Sequence, residues 1–415
     1  MNRRRFLEAV GTVGVGTALA GCNGLVDDGT NGTAGGRAEA CGEYAPTVLG
    51  TAGWRTASGD PAGTGVVPAD SPPDPPLTDD WTFPIDGVSG TTRPVVTSTR
   101  VFTHEMDATF YAVDSGTGDR VWSRTIDEPR GSPAATEDTV VLIRDGRVIA
   151  LDAREGRTSW TGPEGYTGLF WGSPVIHDGV AYVPFDLSLY ALDLDDGSVR
   201  WKHTSGHETV GTPALVGDTV FYGDTDTYLY ALDAETGEER WRFKTAGSIK
   251  SNVSVAADAV FFASEAGTAY GVERKTGSLR WEQSVGGETR TVASDGAHAY
   301  VGTEDRLYAF RSSTGTECWS TGGYAGAYDS GLAAGDGRVY VPKKSGRGSW
   351  AGLMLLDAAT GERRWATDYR EYERGTDLGM GPVVVDGAVY ATGGGAKSLA
   401  LVRLSYRSSR PGLWS

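Results

Sequence analysis

Short runs in which apolar and polar residues alternate fill most of the chain from residue 77 onward. In Pro174-Val175-Ile176-His177-Asp178-Gly179-Val180-Ala181-Tyr182 two such runs flank Asp-Gly, and in Pro213-Ala214-Leu215-Val216-Gly217-Asp218-Thr219-Val220-Phe221 they flank Gly-Asp. A period of two marks a strand, and an Asp-Gly pair between two strands marks a tight hairpin. A second hairpin follows each of these, best preserved in Leu229-Tyr230-Ala231-Leu232-Asp233-Ala234-Glu235-Thr236-Gly237-Glu238-Glu239-Arg240-Trp241. There the Asp carboxylate can accept backbone N–H groups of the turn, and the Gly can take the positive φ that closes it.

This second hairpin recurs. Tryptophans 122, 160, 201, 241, 281, 319 and 365 each follow a glycine by four residues: Gly118, Gly156, Gly197, Gly237, Gly277, Gly315 and Gly361. Eight residues before each Trp stands Asp114, Asp152, Asp193, Asp233, Glu273, Arg311 or Asp357. The spacings between successive tryptophans are 38, 41, 40, 40, 38 and 46 residues. A unit of about 40 residues with four strands has the content of one β-propeller blade. Each Trp lies on the fourth strand, where an indole burying about 150–250 Å² can wedge against the next sheet. An eighth unit opens at Pro382-Val383-Val384-Val385-Asp386-Gly387-Ala388-Val389-Tyr390 and continues through Leu399-Ala400-Leu401, with no Trp-bearing fourth strand after it. Trp81-Thr82-Phe83-Pro84, 41 residues before Trp122, has the character of that missing strand. The expected fold is therefore all-β: an eight-bladed propeller over residues 77–406, closed by its N-terminal strand, which completes the last blade and clasps the ring shut.

On these motifs the chain resembles the pyrroloquinoline-quinone (PQQ) type repeat family, whose A-x-D-x-x-T-G-x-x-x-W signature it carries over about three quarters of its length. That family includes the bacterial outer-membrane assembly lipoprotein and the quinoprotein alcohol dehydrogenases. The copies are uneven: Glu155 and Asp196 replace Thr, Glu273 and Arg311 replace Asp, and the eighth unit lacks the turn. In the dehydrogenases the resemblance implies a quinone clamped by an adjacent-cysteine disulfide and a Trp, with a calcium held by carboxylate and amide groups. This chain has no Cys-Cys pair, and of its four Asn residues only Asn252 falls inside the ring. No cofactor is expected.

The start of the chain reads as an address. Arg3 and Arg4 precede a Gly-rich, weakly apolar run from Ala9 to Ala20, too short to span a bilayer but right for a signal's centre. The pattern resembles a twin-arginine export signal, and Leu19-Ala20-Gly21-Cys22 resembles a lipobox, in which Cys22 would become a lipidated N-terminus. Residues 1–22 are read as this signal and 23–76 as a flexible Gly-, Asp- and Pro-rich tether carrying the sequon Asn31-Gly32-Thr33, with 407–415 as a tail. Cys41 and Cys318 remain, as two free thiols in the simpler reading or as a pair. Composition adds a habitat. Of 38 basic residues seven are Lys, and the net charge is −16, a balance expected of a protein working in strong brine, where salt screens carboxylate repulsion. It argues against nucleic acid as a partner.

Catalytic signals are thin. His203 and His207 lie four apart, and Asp193-Leu194-Asp195-Asp196-Gly197 and Asp224-Thr225-Asp226 look calcium-like, but the acidic runs fall at blade turns and lack a closing Glu. No metal is expected. The hairpin turns are short, so the opposite face carries whatever is elaborated. There, Gly162 to Gly172, Ser320 to Ser330, Ala366 to Gly381 and Pro342 to Gly352 are long and carry Tyr166, Phe170, Trp171, Tyr324, Tyr328, Trp350, Tyr369 and Tyr372. Large rings clustered in loops mark a candidate recognition surface, with packing beneath their own loops as the alternative. Arg93, Arg130, Lys250 and Arg290 stand at the starts of inner strands as a candidate positive collar at the channel mouth. The expectation is a non-catalytic, monomeric, exported scaffold, lipid-anchored on the outer face of the cytoplasmic membrane and binding a protein or a surface glycan. A quinoprotein-type oxidoreductase and a carbohydrate-binding module are the alternatives.

Overall fold

The structure, a computed structural model, describes residues 59–60, 63, 73, 75–86, 91–105, 109–144, 146–165, 172–209, 211–256, 258–289, 291–324, 331–344, 350–366, 381–395 and 398–406. All regular structure among them is β: 32 strands in eight sheets of four. Blades 1 to 7 span residues 95–125, 130–164, 175–204, 214–244, 254–284, 291–322 and 333–366, each a meander of four consecutive antiparallel strands. No helix among the described residues is long and apolar enough to cross a membrane.

Blade 8 is the exception, and it closes the ring. Its strands Val383–Val385, Ala388–Gly395 and Ser398–Tyr406 are completed by Leu77–Ile85, antiparallel to Ser398–Tyr406 from Leu77 opposite Tyr406 to Ile85 opposite Leu399. Trp81 thus lies on the fourth strand of the last sheet. The apolar core is distributed around the circle. Each buried cluster spans neighbouring sheets, and one joins blades 7, 8 and 1 through Tyr340, Leu355, Val389, Leu401, Val96 and Tyr111.

The repeat motif works as a joint between blades. The seven turn glycines have φ between 70 and 77°, a left-handed conformation that costs an L side chain about 1–2 kcal/mol. Each also lies flat beneath the indole of the preceding blade. A Cβ on Gly118, Gly156, Gly197, Gly237, Gly277, Gly315 or Gly361 would come within 2.5–2.7 Å of Trp81, Trp122, Trp160, Trp201, Trp241, Trp281 or Trp319 respectively. The indole N–H then donates to a carbonyl of the same turn, at 2.8–3.2 Å, on Ser115, Ala153, Leu194, Ala234, Arg274, Ser312 and Ala358 in the same order. Trp81 makes the same joint with blade 1 that the others make around the ring. Trp365, facing the turnless eighth blade, packs instead against the cluster joining blades 7, 8 and 1.

Turn chemistry explains the rest of the motif. Asp114, Asp152, Asp233 and Asp357 each accept two backbone N–H groups through Oδ1 at 2.8–3.0 Å. Where Arg311 replaces the acid, its carbonyl still closes the turn by accepting from Gly315 at 2.8 Å. In the other hairpin, Asp178-Gly179, Asp336-Gly337 and Asp386-Gly387 all have positive φ at both residues, the turn whose twist matches the strands it joins.

The segment expected to be a flexible tether up to residue 76 is packed at four described points. Gly59, Asp60, Gly63 and Pro73 are buried. Gly63 lies so close to the Val253 carbonyl, at the start of blade 5, that no Cβ fits. Pro73 fills a gap. In blades 3 and 8 Tyr182 and Tyr390 donate to turn carbonyls of the next blade, Ala234 at 3.2 Å and Ser115 at 3.3 Å. Tyr340 is their counterpart in blade 7, and the next blade has no such turn; its hydroxyl donates to the Pro73 carbonyl at 2.7 Å. The chain entering the closing strand stands in for the missing turn.

Candidate functional site

Hairpin turns occupy one face of the ring. The blade-to-blade connections and second-to-third-strand loops occupy the other, and the innermost strands run between them along the axis. The turn face is knit together by a feature the motif analysis overlooked. Arg200, Arg240, Arg280 and Arg364 each precede a repeat Trp by one residue. Arg240 bonds Asp218 and Asp233, at 2.8 and 2.6 Å, so one guanidinium ties both hairpin turns of blade 4. Arg280 does the same with Asp258 and Glu273 in blade 5, and Arg200 and Arg364 hold Asp193 and Asp357. Arg240 holds Asp218 down at about 2. The recurring Arg-Trp dipeptide was the available signal.

On the loop face the channel-mouth residues are engaged. Arg93 is buried, and its Nη2 donates to the carbonyls of Leu332 at 3.0 Å and Pro382 at 2.8 Å, tying the approach to blade 1 to those of blades 7 and 8. It is a ring-closing staple rather than a solvent-facing cation. Arg130 pairs with Glu128 at 2.7 Å and Lys250 with Glu265 at 2.6 Å, so each carries its own counter-charge. Arg290 lies outside the described residues.

Of the aromatic candidates, Tyr324 is fully buried, its ring packed on Gly302 within the cluster between blades 6 and 7. That ring is buried between the two blades and offers no binding surface. Trp350 begins the strand Trp350–Asp357, and Arg338–Lys344 runs further than expected, so the long loop between them shrinks to residues 345–349. Tyr166, Phe170, Trp171, Tyr328, Tyr369 and Tyr372 lie outside the described residues, as do Arg3, Arg4, Cys22 and the sequon at Asn31.

Two buried polar clusters come together. In blade 6 the Asp295 carboxylate accepts from the Tyr300 hydroxyl at 2.6 Å and from the backbone of Ala297 and His298 at 2.9 and 2.7 Å, capping a hairpin turn. Between blades 3 and 4, His203 Nδ1 lies 2.6 Å from the Tyr222 hydroxyl, and the Tyr222 and Tyr230 rings stack 5.1 Å apart. Burial pushes the His203 imidazole down and both phenols up. Burial also raises the Asp224 carboxyl, partly offset by the N–H of Tyr228 bonded to its Oδ1. His207 does not join His203; it pairs with Asp226 at 3.3 Å. No group of three His, Cys, Asp or Glu among the described residues is placed to hold a metal ion.

The described residues of this ring do not fit a quinone–calcium centre. Asn252, the amide such a site would draw on, spends both ends on blade 6: its Nδ2 donates to the Val292 carbonyl at 2.6 Å and its Oδ1 accepts from the Val292 N–H at 2.9 Å. Cys318 sits on the outermost strand Glu317–Gly322, and it is disulfide-bonded rather than free.

Comparison with known proteins places this architecture. A family model described as outer membrane protein assembly factor BamB matches residues 48–225, 205–312 and 303–410. The chain belongs to this PQQ-type repeat family. The crystal structure of BamB from Moraxella catarrhalis superimposes with a TM-score of 0.63 at 17% identity, covering 81% of this chain and 99% of that one. Quinohemoprotein alcohol dehydrogenase from Comamonas testosteroni gives 0.67 at 15% identity, covering 87% and 82%. At such identities these likenesses show the fold. A stretch of 111 residues is 30% identical to the serine/threonine-protein kinase AfsK of Streptomyces griseus, 25% of this chain and 14% of that protein. The chain thus spans about a seventh of that relative's length.

Proposed function

We propose that this protein is a non-catalytic, extracytoplasmic scaffold that presents the loop face of a rigid propeller to a protein partner, tethered to the membrane by a lipid on Cys22. The family match along the whole ring carries the reading, since its description is that of an assembly factor. Two features support it. The Trp–Gly joints and turn-face Arg bridges make a stiff frame. The channel-mouth candidate Arg93, and Asn252 just before the first strand of blade 5, are used in holding blades together rather than in facing a ligand. Export by the twin-arginine route and work in brine follow from the signal and the charge balance.

Crosslinking in native membranes at high salt, followed by pull-down and mass spectrometry, tests the proposal. Crosslinks to a distinct membrane or envelope protein through loop-face residues support it; crosslinks confined to the chain itself contradict it. The oxidoreductase alternative is tested by adding pyrroloquinoline quinone with calcium to purified protein. Dye reduction with alcohols or sugars would replace the scaffold reading. Binding on a glycan array, lost in Trp171→Ala and Tyr328→Ala, would replace the protein partner by a carbohydrate.

A further inference from the structure

Seven residues directly precede the repeat tryptophans, and they form a set in which one member stands apart. Val121, Arg200 and Arg364 are 44%, 44% and 46% exposed, Ser159 and Arg240 are exposed, and Arg280 is partly so. Cys318 in blade 6 is 3% exposed. Blade 6 is also the unit in which Arg311 replaces the turn acid, so an Arg at position 318 would meet a cation where Arg200 and Arg364 meet Asp193 and Asp357. The electrostatic tie of blades 3, 4, 5 and 7 is therefore replaced in blade 6 by a covered sulfur engaged in a disulfide. The chain's other cysteines are Cys22 and Cys41, so the partner is N-terminal to the ring. A second, independent set of observations brings that part of the chain onto the propeller: Gly63 packs on the Val253 carbonyl, and Pro73 accepts from Tyr340 on the turn face, the face beside which Cys318 stands.

We propose that Cys41 is the partner of Cys318, and that this cystine pins the N-terminal segment to the turn face at blade 6, so that the segment after residue 41 belongs to the folded body. The free tether is then residues 23–40, about 20–25 Å of root-mean-square span for a flexible chain. The choice of Cys41 over Cys22 rests on the proposed lipid attachment, which consumes the Cys22 thiol. In forming the S–S bond the two thiols give up two protons and two electrons to a disulfide-donating oxidant of the extracytoplasmic space, whose own disulfide is reduced to a dithiol.

The test uses full-length protein extracted from membranes, alkylated without reduction, digested with trypsin and mapped by mass spectrometry. A linked species joining peptides 38–55 and 312–338, lost on reduction, is expected. Alkylated Cys318, or a link from Cys318 to the Cys22 peptide, overturns the proposal. The same map on Cys22→Ser protein, taken from both the membrane fraction and the medium, separates the two readings. If Cys22→Ser remains in the membrane while the 41–318 link persists, the anchor fails and the disulfide stands; if the protein is released with Cys318 alkylated, the anchor stands and the disulfide fails.

Discussion

Placing one methyl group on Gly237 separates the two roles assigned to the turn glycines. Gly237 has φ +74°, and a Cβ there would meet Trp201 Cδ2 at 2.7 Å. Gly179 has nearly the same φ, +73°, but nothing lies within 4 Å of its would-be Cβ. Gly179→Ala should therefore cost the backbone alone, about 1–2 kcal/mol. Gly237→Ala adds displacement of a buried indole from a packed site, about 1–3 kcal/mol more. The expected total is about 2–5 kcal/mol. Urea unfolding followed by circular dichroism in molar KCl reads the difference as a shift in midpoint at unchanged slope. Trp201→Ala, with the ring 9% exposed, should cost about 3–5 kcal/mol on its own. In that background Gly237→Ala should fall back to the backbone cost, a coupling of about 1–3 kcal/mol. Equal losses for Gly179→Ala and Gly237→Ala, or strict additivity with Trp201→Ala, would show that the indole–glycine contact joins nothing.

Two further outcomes follow from charge. His104 is buried, and burial pushes its imidazole below the ordinary value, with the carbonyls of Gly131 and Glu105 pulling it back in part. The unfolded chain takes up a proton near pH 6.5 that the folded chain resists, so this contribution is full above about pH 6.5 and declines as the pH falls below it. His104→Gln should flatten the dependence of the unfolding midpoint between about pH 7 and 5 by up to one proton; identical slopes would contradict the assignment. With a net charge of −16, raising KCl from about 0.2 M to about 2 M should raise the midpoint as repulsion is screened. A fall would refute the brine reading.

Eight blades and their closure were legible in the sequence because the joint is local. Trp, Gly and the turn acid lie within nine residues of one another, so their spacing survives uneven copies such as Glu273 and Arg311. Trp81 could be placed because a missing fourth strand must come from the other end of the chain. Contacts between distant residues left weaker traces. Nothing in the composition of residues 59–73 marks Gly63 as seated on the Val253 carbonyl or Pro73 as the acceptor for Tyr340. Its charge and its place before an inner strand made Arg93 a channel-mouth cation, whereas its guanidinium bonds two carbonyls roughly 240 and 290 residues away. Tyr324 read as a loop aromatic because a glycine able to receive it, Gly302, lies in a different hairpin. The Arg before each of four tryptophans was in plain view, but its meaning needed both hairpin turns side by side.

Hydrogen exchange on the full-length Trp81→Ala chain addresses ring closure most directly. The N-terminal strand Leu77–Ile85, its partner Ser398–Tyr406 and the blade 1 turn around Gly118 should lose protection together, while the blade 4 turn around Gly237 keeps its own. Unchanged protection at all three places would mean that the circle is held by something other than its tryptophans.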